Sequence, residues 1–92
     1  PVQVAVLGDW AIQVGAFRSA NDSHRAIEAA QLAAPDILSP ARRHVMEVST
    51  PSGQVYRARL IGVSSDDAAR ACELLTSRGT DCLALPPGAQ TS

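Results

Sequence analysis

The chain has 92 residues, 46% apolar and 18% charged, with a formal net charge of −1 at pH 7. That is enough for one globular domain and not for two, and no apolar run reaches membrane-spanning length. The near-neutral balance argues against a partner held mainly through phosphates. All eight basic side chains are arginine, so a P-loop lysine, an S-x-x-K nucleophile site and a Schiff-base lysine are excluded.

Residues 1–9 read as a linker or N-terminal extension, with Val2–Leu7 either extending the first strand or forming a separate edge segment. In "WAIQVGAF", residues 10–14 alternate and carry β-branched and aromatic side chains, the pattern of a strand. Gly15 interrupts that alternation, as a bulge or tight bend does. Strict parity puts Ile12 and Val14 on one face and Ala11, Gln13 and Gly15 on the other, with Trp10 on the core side or at the rim. Ser19 with Asp22 has the spacing of a capping box. The helix that follows places Ala26, Ala29, Ala30 and Ala33 on one face, flanked by Ile27 and Leu32, and stops at Pro35. "PDILSPAR" then reads as a connection.

"HVMEVST" alternates again, "TPSGQ" is a turn, and "VYRARLIG" is a third strand, giving a hairpin. Its Arg57, Arg59 and Ile61 share one parity and point away from the core side, while Tyr56, with Phe17, is expected in the core. Ser64 and Asp67 repeat the capping logic ahead of a stripe of Ala68, Ala71, Cys72 and Leu75, and Gly79 is a suitable helix stop. "DCLAL" is a short last strand ended by Pro86 and Pro87, and residues 88–92 read as a flexible tail. The order βαββαβ predicts an α+β domain of RNP or ferredoxin-like type, a four-stranded antiparallel sheet with two helices on one face. A faint internal repeat accompanies it: "IQVGAFRSANDSHRA" and "ARLIGVSSDDAARA" both run strand, glycine, hydrophobe, serine, acid, alanine-rich helix.

"WAIQVGAF", "YRARLIGVSSDDAARACELL" and "GTDCLAL" resemble the SPOR domain, a peptidoglycan-binding module of bacterial cell-envelope proteins. The resemblance places a SPOR-like domain at residues 10–87, and the sequence reads as a module excised from a longer chain. Its arginine-rich third strand and paired cysteines are most similar to SPOR domains at the C-terminus of D-alanyl-D-alanine carboxypeptidases. What the resemblance implies is recognition of glycan strands stripped of stem peptides, in the periplasm or cell envelope, recruiting the parent protein to the division septum. The implied site lies on the exposed sheet face: Gln13, Gly15, Ala16, Arg57, Arg59 and Ile61. An amide there suits sugar hydroxyls and N-acetyl carbonyls, and the family often has serine where this chain has Ala16. Val63 stands where phenylalanine is commoner.

No catalytic residue, metal site or cofactor is expected. Asp66 and Asp67 are explained by a helix start, and His24 and His44 lack metal-ligand spacing. Partners are peptidoglycan glycan strands, with no nucleic acid and no membrane contact, and the domain is expected as a monomer. Cys72 and Cys82 fit either a disulfide between the second helix and the last strand or two separate buried thiols; an oxidising compartment favours the bond. Two other readings share the strand order. An RRM-like domain would stack bases on aromatics of its first and third strands. A ferredoxin-like interaction domain would carry a contiguous apolar outer face.

Overall fold

Two serines start the two long helices. In the computed structural model, which describes residues 8–91, Ser19 and Ser64 adopt extended backbones. Their Oγ atoms accept the amide N–H of Asp22 at 3.3 Å and of Asp67 at 3.0 Å. The two carboxylates do not return to the caps. They turn outward instead to Arg25 and Arg70, one helical turn on. Helix α1 runs Ala20–Ala33 and α3 runs Ser65–Ser77, with a one-turn helix α2 at Pro35–Leu38 where the sequence suggested only a connection. Helix α3 ends in a Schellman motif: Gly79, at φ +82°, donates to Thr76, and Thr80 donates to Leu75.

The strands are β1 (Trp10–Phe17), β2 (Arg42–Thr50), β3 (Gly53–Val63) and β4 (Leu83–Leu85), all antiparallel in the order β2-β3-β1-β4. The expected α+β architecture is therefore the observed one, with α2 added. Ile12 and Val14 of β1 and Ala58 and Leu60 of β3 meet Ile27 and Ala30 of α1, Leu38 of α2, and Ala68, Ala71 and Leu75 of α3. Alanines and a serine dominate the helix side of this layer, letting the helices approach the sheet closely. Ser23, fully buried, donates its Oγ–H to the Tyr56 carbonyl at 2.7 Å and ties α1 to β3. The buried stripe of α1 is thus centred on Ser23, Ile27 and Ala30 rather than on the expected alanine face, and Ala29 and Leu32 are exposed. Trp10 and Phe17 pack against the core from its edge.

Cys72 and Cys82 are bonded, with an S–S distance of 2.10 Å. The bridge ties α3 to the run-in of the short edge strand β4, which has only three paired residues. The expected extension over residues 1–9 lies outside the described residues except for Gly8 and Asp9. Gly8 belongs to the fold: an added Cβ would lie 2.0 Å from the Val63 carbonyl oxygen, an approach only glycine permits.

Candidate functional site

Pairing across the sheet decides which side chains share its outer face, because antiparallel partners point the same way. Two bulges complicate β1 and β3. One leaves an extra residue on β1 between Gln13, paired with Arg59, and Gly15, paired with Ala58; the other lies at Gly62, between Trp10–Val63 and Ala11–Ile61. A bulge shifts parity by one residue. Gly15 therefore belongs with Ala58 on the helix side, and Ala16 pairs with Arg57 on the outer face.

This corrects the parity reading of "WAIQVGAF", in which Gly15 shared a face with Gln13. Gly15 has φ +148°, and a Cβ there would meet the Phe17 ring at 2.6 Å. The glycine makes room for Phe17, and the bulge it permits turns Ala16 outward.

The outer face is then a ladder of cross-strand rows. The first is Arg42–Ile61–Ala11–Leu85, the second His44–Arg59–Gln13–Leu83, the third Met46–Arg57–Ala16, and the last Val48–Val55 on the protruding hairpin. Successive rows are about 6.7 Å apart, two residues along a strand. Of the expected site residues, Gln13, Ala16, Arg57, Arg59 and Ile61 all lie on this face. Arg42, His44, Met46 and Leu83, the last 58% exposed, join them. The alternation in "HVMEVST" could have identified His44 and Met46; Arg42 precedes that stretch, and Leu83 needed the register of β4.

The first row is closed at its β1–β4 end, while Arg42 at its β2 end stays exposed. After β4 the chain turns back through a 3-10 turn at Pro87–Ala89. Gln90 then donates its Nε2–H to the Asp9 carbonyl at 2.7 Å and to the Leu85 carbonyl at 3.3 Å. The residues expected to start a flexible tail are thus tied to the sheet. Ala11 is fully buried, and Leu85 is nearly so, although both lie outside the main core cluster.

Arg59 is drawn under the same strap and is only 2% exposed. Its Nε donates to Gln13 Oε1 at 2.9 Å and its Nη1 to the Gln90 carbonyl at 2.7 Å. Burial pushes its pKa down from the ordinary arginine value, and the neighbouring Arg57 charge acts in the same direction. The guanidinium stays cationic near neutrality. Arg59 thus presents little of its guanidinium to solvent and holds the Gln13 amide in place. By occupying the Gln13 carbonyl oxygen, it fixes which end of that amide carries the remaining two donors.

Arg57, half-buried in the third row, makes no ion pair or side-chain hydrogen bond among the described residues. Together with Gln13, Ala16, Met46 and Leu83 it forms a shallow surface of donors and apolar patches. Among the described residues no group of three or more His, Cys, Asp or Glu side chains could hold a metal ion, and no helix is long and apolar enough to cross a membrane.

Among solved structures, the fold is similar to the peptidoglycan-binding domain of the B. subtilis cell wall lytic enzyme CwlC. The TM-score is 0.57 at 16% identity, covering 92% of this chain and 96% of that one. It is also similar to the RlpA SPOR domain from Pseudomonas aeruginosa, with TM-score 0.50 at 20% identity, covering 80% of this chain and 96% of that one. Among curated proteins, no sequence matches at a significant level. The SPOR domain family model matches residues 7–86, nearly the whole chain. That match ends just before the turn carrying Gln90, so the strap over Arg59 is an addition to the matched region of a chain that belongs to the SPOR domain family.

Proposed function

We propose that this domain binds peptidoglycan on the outer face of its sheet and takes glycan strands from which the stem peptides have been removed. Family membership supports the ligand class, and a structural neighbour is itself described as a peptidoglycan-binding domain. The observation that carries the site is the cluster of Gln13, Ala16 and Arg57 on the uncovered rows, with the Gln13 amide fixed by Arg59. The amide and guanidinium hydrogen-bond sugar oxygens and N-acetyl carbonyls, and Met46 and Leu83 give apolar contact to ring faces. Ala16 keeps the centre of the face low enough for a strand to lie across it. Arg59, Ile61 and Gly15, also expected in the site from the sequence, act as positioning, floor and bulge-forming residues respectively.

The domain is a binding module that brings its parent to the division septum in the cell envelope. The parent is a cell-wall protein, and a D-alanyl-D-alanine carboxypeptidase fits the resemblance best; catalysis would reside in its other parts. An RRM-like role is disfavoured because the outward positions of β1 and β3 hold no aromatic side chain.

Sedimentation with amidase-treated sacculi tests the reading. The wild-type domain should pellet with treated sacculi and much less with untreated ones. No enrichment with either would refute peptidoglycan binding, and equal enrichment would refute the preference for peptide-free strands.

A further inference from the structure

Charge is sorted between the two faces of the sheet. Among the described residues the only acid in a strand is Glu47, and it pairs with Tyr56 on the helix side. The outward positions hold Arg42, Arg57, the buried Arg59 and His44, with no carboxylate among them. A chain with net charge −1 thus presents, among the described residues, an outer sheet face without a carboxylate. Arg42 is exposed and Arg57 half-exposed, and among the described residues neither has an internal partner. They stand two rows apart, about 13 Å along the strands. Two arginines without an internal partner among the described residues, at that separation on a face whose other groups are His44, the buried Arg59, an amide and apolar side chains, suit a ligand bearing spaced anions.

The glycan itself supplies such anions. In an intact strand each muramic acid carries its stem peptide as an amide of the lactyl group. Hydrolysis of that amide releases the peptide amine and leaves a carboxylate on every second sugar. We infer that Arg57, supported by Arg42, reads these newly freed lactyl carboxylates, so that the domain distinguishes stripped from substituted glycan by charge as well as by bulk. This inference rests on the peptidoglycan reading above. Arg57 gives up no internal hydrogen bond to bind, and a planar guanidinium matches a carboxylate in bidentate fashion. The strap over the first row keeps Arg59 out of this role and leaves Arg57 as the central accessible cation.

The test uses peptide-free glycan in two forms, one untouched and one with its lactyl carboxylates capped as neutral amides by carbodiimide coupling to ammonia. Wild type, Arg57→Gln and Arg42→Gln are compared on both at several salt concentrations, with thermal midpoints checking the fold. Capping should weaken wild-type binding about tenfold, the scale of one hydrogen bond to a charged group. Arg57→Gln should lose about tenfold more on free-carboxylate glycan than on capped glycan, where only its contacts with sugar oxygens remain to be lost, because capping and the substitution share the carboxylate interaction. Arg42→Gln should do so to a smaller extent, and raised salt should weaken only the free-carboxylate interaction. Equal wild-type binding to both forms, with normal affinity, would overturn the inference and leave glycan binding standing. Binding to neither form would remove the peptidoglycan reading and this inference with it.

Discussion

Replacing Arg59 tests whether the guanidinium locks the face together or merely decorates it. The residue is 2% exposed and makes charge-assisted hydrogen bonds to Gln13 Oε1 at 2.9 Å and to the Gln90 carbonyl at 2.7 Å. Each such bond contributes about 1.5–3 kcal/mol when its loss leaves a partner unsatisfied. Arg59→Met keeps the stem and removes both, while relieving the cost of desolvating a cation. The net loss should be about 2 kcal/mol, and in a domain of this size that lowers the thermal midpoint by about 8–16 °C. Arg59→Lys should recover only part of it, because one ammonium cannot span both acceptors in the fork geometry. Circular dichroism melts of the oxidised protein, with and without residues 88–92, complete a double-mutant cycle. Once Gln90 is gone, Arg59→Met should cost about 1 kcal/mol less. An Arg59→Met variant melting within about 1 °C of wild type would refute the locking role.

The other predictions concern the scaffold. Cys72→Ala with Cys82→Ala opens a loop whose ends are 10 residues apart, and the chain-entropy model gives a loss of about 2–3 kcal/mol, read as a matching fall in denaturant midpoint. Gly15→Ala should cost about 2–3 kcal/mol from its left-handed backbone and the contact with the Phe17 ring. Gly62→Ala, at φ +86° in open space, should cost only about 1 kcal/mol. Gln90→Ala removes the side-chain bonds to the Asp9 and Leu85 carbonyls; amide exchange around residues 86–90 should speed up while the sheet interior is unchanged.

Local rules made most of the scaffold legible. Serine caps, the Gly79 stop and the order of the four strands and two long helices follow from signals within a few residues, and each appears in the structure as the spacing indicates. What escaped depends on contacts distant in sequence. Strict alternation assigned Gly15 to the outer face because a bulge between Gln13 and Gly15 is defined only against β3. Arg59 reads like Arg57 in the sequence, yet one is buried and the other half-exposed. Arg59 is held by Gln13 on the neighbouring strand and by the carbonyl of Gln90, 31 positions away. Nothing in "PPGAQTS" signals that its glutamine reaches back to Asp9. Helix α1 shows the same limit: its alanines mark a small-residue face, but the sheet selects the stripe through Ser23 and Ile27.

The central claim, that the uncovered rows of the sheet bind glycan, is tested most directly by backbone and side-chain NMR titration of the labelled domain with soluble peptide-free glycan oligomers. The shifts should concentrate on Gln13, Ala16, Met46, Arg57 and Leu83, with the outer surfaces of α1 and α3 unaffected. Shifts confined to the helices, or none on these five residues at saturating glycan, would contradict it.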